Sequence, residues 1–192
     1  HADPLHFDLW IKGKNILRDG GSYKYNSPLK DLNFFQGIRS HNTVEFDESE
    51  PMPRISRFLW GKWLKANRLS IKNDINKFYS VSASYKCSIG MHKRKIKFKT
   101  NGAFWIVTDY LSNFAKSATI RWRLIPSDWK LLNNQLESSI AILKINSPNN
   151  KLSIKLSQGW ESRYYFQRES IPVLEIKSNE SPVKVITEFY FK

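Results

Sequence analysis

Leu5-His6-Phe7-Asp8-Leu9-Trp10-Ile11 decides the fold class. Leu5, Phe7, Leu9 and Ile11 occupy every second position, which puts all four side chains on one face of a half-buried strand. Lys12-Gly13-Lys14-Asn15 then reads as a turn, and Ile16-Leu17 leads a return strand. Similar short segments recur at residues 43–46, 78–85, 95–99, 104–109, 119–124, 141–145, 152–156, 173–176 and 183–191. Polar turns such as Ser147-Pro148-Asn149-Asn150 and Thr100-Asn101-Gly102 separate them. Many short strands with little helical periodicity predict an all-β fold, an antiparallel multi-stranded sandwich with few or no helices. One short helix is expected at residues 129–139, and residues 47–56, with Pro51 and Pro53 among acidic residues, read as an exposed loop.

The chain has 192 residues, enough for one sizeable domain spanning 1–192. Its charge is +14, from 31 Lys plus Arg against 17 Asp plus Glu, so an anionic partner is expected: nucleic acid, an acidic membrane surface or an acidic polysaccharide. The lone Cys87 rules out an internal disulfide framework and sits in no metal-type cysteine spacing, so it reads as a small strand residue. No run approaches the length of a membrane span, and no membrane is expected among the partners.

Three scattered polar residues, His1, Asp19 and His41, could supply the imidazole and carboxylate ligands of a zinc-type site with a position left open. Their spacings match no compact ligand motif, so exposed or hydrogen-bonded histidines are the plain alternative. A hairpin turning between Gly13 and Lys14 would set Asp19 opposite Asp8 and leave His1 roughly 23 Å away along an ideal strand. The Ala2-Asp3-Pro4 segment must then bend back, or the register must differ, for His1 and Asp19 to share an ion.

His1-Ala2-Asp3, Asp19-Gly20-Gly21-Ser22-Tyr23, Gly37-Ile38-Arg39-Ser40-His41-Asn42-Thr43-Val44 and Arg57-Phe58-Leu59-Trp60-Gly61 together resemble the C-terminal β-domain of the heparinase II/III family of bacterial polysaccharide lyases. Met91-His92-Lys93-Arg94, Phe104-Trp105-Ile106-Val107-Thr108-Asp109, Arg121-Trp122-Arg123-Leu124 and Thr187-Glu188-Phe189 extend the likeness over nearly the whole chain. The resemblance implies a supersandwich-like fold and one divalent ion, zinc first, on His1, Asp19 and His41. It also implies cleavage of a uronic-acid-containing polysaccharide, heparin/heparan-sulfate- or alginate-like, by β-elimination. The family's main catalytic Tyr and His or Asn groups lie on a preceding α-helical toroid, and the first His of its His-x-His pair would lie just before His1. The chain is therefore expected to be part of a longer protein, to be catalytically incomplete alone, and to have that toroid and an acidic polysaccharide as partners; a periplasmic or secreted setting is expected, with a cytoplasmic polysaccharide pathway as the alternative.

Tyr23, Tyr25, Arg39 and Asn42 are the expected substrate contacts, with His92 a second-rank candidate. Each has a plainer role available: packing for the tyrosines, an ion pair with Asp47 or Glu48 for Arg39, and hydrogen bonds to backbone groups for Asn42. His6 and His92 are expected to be structural or solvent-facing. Phe58, Trp60 and Trp63 are either core or a sugar-stacking platform. Lys93, Lys95, Lys97 and Lys99 fall on one strand face, a solvated surface also suited to a polyanion. A non-catalytic carbohydrate-binding sandwich is the alternative function. A nucleic-acid-binding domain ranks lower, because no nucleic-acid motif accompanies the charge.

Overall fold

The computed structural model describes residues 1–57, 59–73, 78–99 and 102–192, without the side chains of Arg68, Leu69 and Asn73. It opens with a hairpin, β1 (Leu9–Ile11) and β2 (Lys14–Leu17), followed by α1 (Leu29–Gln36), a 3-10 turn (Ile38–Ser40) and β3 (Val44–Phe46). Then come β4 (Asn67–Asn73), β5 (Phe78–Cys87), β6 (Gly90–Lys99), β7 (Phe104–Ser112), β8 (Ala118–Arg123), β9 (Lys130–Leu132) and β10 (Gln135–Glu137). The chain finishes with β11 (Ala141–Asn146), β12 (Ser153–Glu161), β13 (Glu169–Ser178) and β14 (Val183–Phe191).

Eight strands form one antiparallel sheet in the order β4-β5-β6-β7-β14-β11-β10-β9, and four form a second, β12-β13-β8-β3. Alternation turns one face of each sheet toward the other. Val107, Leu111, Leu143, Val185 and Phe189 from the large sheet share one buried cluster with Ile120, Trp122, Leu174 and Ile176 from the small one. Trp122 is fully buried, donates its indole N–H to Thr187 Oγ1 at 3.2 Å and meets the Phe189 ring edge-on. The polar atom of the largest core side chain is thus satisfied across the two layers.

The helix expected at residues 129–139 is instead the β9–β10 hairpin. Asn133 turns it in the left-handed region at φ 53°, a conformation Asn tolerates, and Leu136 of β10 is buried without exposure. A helix does form at Leu29–Gln36, where Leu32 and Phe35 are buried one turn apart. Pro28 before it and Gly37 after it are ordinary helix boundary signals. Strand β4 was not foreseen; the strand expected from Leu5 begins only at Leu9, because the chain bends at Leu5, and most other predicted strands extend by one to five residues at their ends. Of the expected Thr100-Asn101-Gly102 turn, Thr100 and Asn101 lie outside the described residues.

Candidate metal centre

The first hairpin turns through Lys12 and Gly13, both at positive φ (48° and 76°), one residue earlier than the sequence register assumed. A register shift between Leu9 and Trp10 moves the pairing back by one residue, to Leu9 opposite Leu17. Ahead of β1 the chain bends back at Leu5, which takes φ 54°, and the His6 N–H closes the bend on the Asp3 carbonyl. Ala2, buried without exposure beside Met52 and Trp60, donates its N–H to Gln36 O at 2.8 Å and anchors the returning end. The bend that the ligand set requires is therefore present.

Asp19 is held by two glycines. The Gly20 N–H reaches Ser40 O at 2.8 Å, and a Cβ on Gly20 would stand 2.6 Å from the Ser40 Cβ. Gly21 sits at φ 72°, donates its N–H to Asp19 Oδ1 at 2.6 Å, and leaves no room for a side chain: a Cβ would lie 2.1 Å from Ser162 O. His41 follows the 3-10 turn, is fully buried, and places Nδ1 2.7 Å from Asp19 Oδ2.

The outcome is a cluster in which one ligand atom each of His1, Asp19 and His41 lies within 4.8 Å of the others. The His1 and His41 rings are 5.3 Å apart, and His1 Nε2 is 3.3 Å from the Ser22 hydroxyl. Burial alone would raise the Asp19 carboxyl, but hydrogen bonding to His41, its charge and the Gly21 N–H bring it down to about 2, so the group stays an anion. Among the described residues His41 Nε2 is buried with no hydrogen-bond partner, so it is free to act as a ligand atom. Two imidazoles and one carboxylate form a donor set suited to zinc, so the residues present fit the ion.

His6 completes the surroundings. Its Nδ1 accepts the Asn42 N–H at 2.9 Å, which leaves the proton on Nε2, 3.6 Å from Asp19 Oδ2. Burial, then the neighbouring His41, lowers its pKa to about 4, so it is neutral. Asn42 is a brace: its Oδ1 accepts the Arg123 N–H, and its Nδ2 donates to Phe7 O and Arg18 O. Its carbonyl takes a 2.6 Å bond from Arg94 Nη1, which also reaches Leu5 O at 2.8 Å. Arg94 is clamped in turn by Asp109, and His92 Nε2 is 2.7 Å from the same Asp109 oxygen. Strands β6 and β7 thereby hold the bend and the His41 loop together.

Asn42 and His92 are thus both without exposure, and neither presents a surface to a sugar in this chain. Arg39 pairs with Glu45 at 2.6 Å, rather than Asp47 or Glu48, and lines a groove of about 340 Å³ with Arg121, Glu175 and Lys177. Tyr23 is half-buried and stacks between Phe35 and Phe166, while Tyr25 is 61% exposed beside Tyr165. Trp60 is core, with Arg54 over its ring; Trp63 is exposed, and Phe58 lies outside the described residues.

Sequence reasoning missed the loop at residues 162–168. A parallel bridge between Gly21 and Ser162 brings it against residues 20–25, where Tyr164, Tyr165 and Phe166 stand more than half exposed. Arg168 lies over both the Tyr23 and Trp160 rings. Beside Asp19 a groove of about 250 Å³ is lined by Trp10, Arg18, Glu161 and Arg163. The run of aromatics and arginines at 160–168 was the available signal. Its place beside Asp19 depends on pairing across more than a hundred residues.

A family model described as heparinase II/III-like, C-terminal, matches residues 1–174. A heparin-sulfate lyase of Bacteroides stercoris is 22% identical over 97% of this chain, which spans 29% of that protein. A second, from Pedobacter heparinus, is 24% identical over 65% of this chain and 18% of its own length. Among solved structures, a heparan sulfate lyase of Pedobacter heparinus superposes with a TM-score of 0.77 at 20% identity, covering 97% of this chain and 30% of that one. A structure described as heparinase III superposes with a TM-score of 0.79 at 16% identity, covering 97% and 29%. The chain spans less than a third of the length of these relatives.

Proposed function

The chain belongs to the heparinase II/III-like family, and we propose on that basis that it is the C-terminal β-domain of a polysaccharide lyase, contributing a divalent-metal centre and one wall of the substrate cleft. The observation that carries the proposal is the convergence of His1, Asp19 and His41, from three separate segments, beside a groove lined by the exposed Trp10 and by Arg18 and Arg163. The substrate is a uronic-acid-containing polysaccharide of the heparan-sulfate class, the class for which the relatives are named. The partner is a preceding α-helical toroid, and the setting is periplasmic or secreted.

β-Elimination removes the uronate C5 proton and expels the C4 oxygen. It needs a base, a proton for the leaving oxygen and neutralisation of the carboxylate. The residues of this chain serve the third need and orientation. Arg163 and Arg18 put positive charge in the groove beside Asp19, although Arg18 is already paired with Glu161. Trp10, 58% exposed, and the Tyr25/Tyr165 pair offer apolar faces on which sugar rings can stack. A zinc ion on His1, Asp19 and His41 would supply a fixed positive charge that organises this wall. Base and acid groups are assigned to the toroid.

Element-resolved metal analysis tests the centre. About one zinc per chain is expected, lost in Asp19→Ala and His41→Ala. No metal in the purified chain after zinc loading would overturn it. For the lyase reading, a full-length protein carrying this domain should release unsaturated uronate products from heparan sulfate. A metal-replete protein that releases none from any uronate polymer would sink that reading and favour a binding module. The exposed residues at 164–166 support that second reading, since they could hold a sugar chain without a toroid.

A further inference from the structure

The pairing of β5, β6 and β7 sorts the lysines of β6 onto the face opposite the metal centre. Arg94 points inward, to Leu5 O and Asn42 O, so the alternation of the strand sends Lys93 and Lys95 outward. Register then lines up Ser84, Lys93, Tyr110 and Lys184 in one row across four strands, and Ser82, Lys95 and Thr108 in the next. Ser80 and Lys97 continue the ladder, and Lys72 of β4 stands opposite Ser80. The result is a groove of about 470 Å³ with a serine floor and Lys72, Lys93, Lys95 and Tyr110 on its walls.

Among the described residues none of these lysines has a carboxylate partner, whereas Lys155 and Lys177 on the small sheet pair with Glu175 and Glu48. Among the described residues the first acidic one along the face is Glu188, beyond Ile106, where it accepts the Tyr190 hydroxyl and stands in register with Lys144. The Tyr110 ring, 39% exposed, has the Lys93 and Lys184 ammonium groups 5.9 and 5.6 Å from its centroid. Like charges on neighbouring strands repel, so an uncompensated ladder costs stability unless a counter-charge lies along it.

We propose that this outer groove of the large sheet is a second binding site, separate from the metal centre, for a single extended chain of a sulfated or carboxylated polysaccharide. Lysines about 6.8 Å apart along β6 match a linear polymer with regularly repeated anions. The serine and threonine hydroxyls between them can hydrogen-bond to sulfate and sugar oxygens. A nucleic-acid duplex is read by an element inserted into its groove, and this concave face offers none. The site neither touches His1, Asp19 or His41 nor depends on lyase activity, so the two proposals fail separately.

The test is calorimetric titration of the chain with heparin oligosaccharides at several salt concentrations. The triple variant Lys72→Gln/Lys93→Gln/Lys95→Gln is compared with a control of equal net charge, Lys14→Gln/Lys116→Gln/Lys151→Gln. The groove variant should raise Kd about tenfold at 0.1 M salt and lower the log–log salt slope by about two, while the control changes Kd less than about twofold. Ser82→Glu, which plants a carboxylate in the floor, should weaken binding comparably without removing a lysine. Binding should persist in His41→Ala and after chelation. Equal losses in the two triple variants, loss on chelation, or displacement of heparin by duplex DNA at equal charge concentration would each overturn the proposal.

Discussion

Replacing Arg94 by Met tests whether the buried clamp beneath the candidate metal centre holds the site together. Arg94 is 3% exposed and Asp109 not at all; they are joined by bonds of 2.7 and 3.2 Å, and Arg94 also satisfies two carbonyls. Breaking a buried ion pair by removing one partner costs about 3–5 kcal/mol. The orphaned Leu5 carbonyl adds about 1 kcal/mol, whereas the Asn42 carbonyl keeps the Phe7 N–H at 3.3 Å; proton uptake by Asp109 offsets part of the cost, so a net loss of about 4 kcal/mol is expected. Burial pushes the Asp109 carboxyl up, but Arg94 and His92 outweigh it and hold the group at about 2, below its ordinary 3.8. In the intact protein that difference stabilises the fold above pH 3.8 and is lost as pH falls toward 2. In the variant the sign reverses: the folded-state pKa rises above the unfolded value, and the penalty grows with increasing pH. Urea denaturation of both proteins at pH 4.5 and 7.5 should therefore show the larger difference at pH 7.5. A difference below about 1 kcal/mol, or one independent of pH, would refute the argument that this is an uncompensated buried charge.

Three further outcomes follow from the same geometry. Gly21→Ala, which must place a methyl 2.1 Å from Ser162 O at φ 72°, should cost about 2–3 kcal/mol and displace Asp19 enough to lower zinc occupancy; unchanged occupancy in metal analysis would contradict the account. Asn42→Ala leaves the Arg123 N–H and the Phe7 and Arg18 carbonyls without their partner, so thermal and urea unfolding should show a loss of about 3 kcal/mol, and a near-neutral result would mean the brace is unimportant. Burial of His92 lowers its pKa against the opposing pull of Asp109, so its unfolded form binds protons first. Stability from that residue is present above about pH 6.5 and lost below it, and a His92→Gln chain should show a flatter stability profile between pH 7.5 and 5.5 than the parent.

The three candidate ligand residues were legible because imidazoles and a carboxylate are chemically distinctive and stand in segments that resemble a known family. Nothing in their spacing foretold that Leu5 would adopt the left-handed bend that carries His1 back to Asp19. Residues 162–168 carried an aromatic signal, but their place beside the centre rests on a bridge between Gly21 and Ser162. Arg94 and Asp109 each lie within a segment that resembles the family. Their joint role under Asn42 emerged only when β6 and β7 were paired.

The sequence by itself determined the all-β class, because period-two alternation is a property of each strand and needs no partner to be read. It also determined the donor types at the centre, since ligand chemistry belongs to the side chain. The short hairpin at residues 130–137 escaped it, because a few apolar residues around Asn133 fit a helix as well as two short strands until Leu136 finds the core. Only the tertiary structure decided register, and with it which lysines share a groove, which aromatics flank Asp19 and which polar residues are sealed inside. Register is set by contacts between segments far apart in the chain, and a one-residue slip would exchange the two faces of a strand.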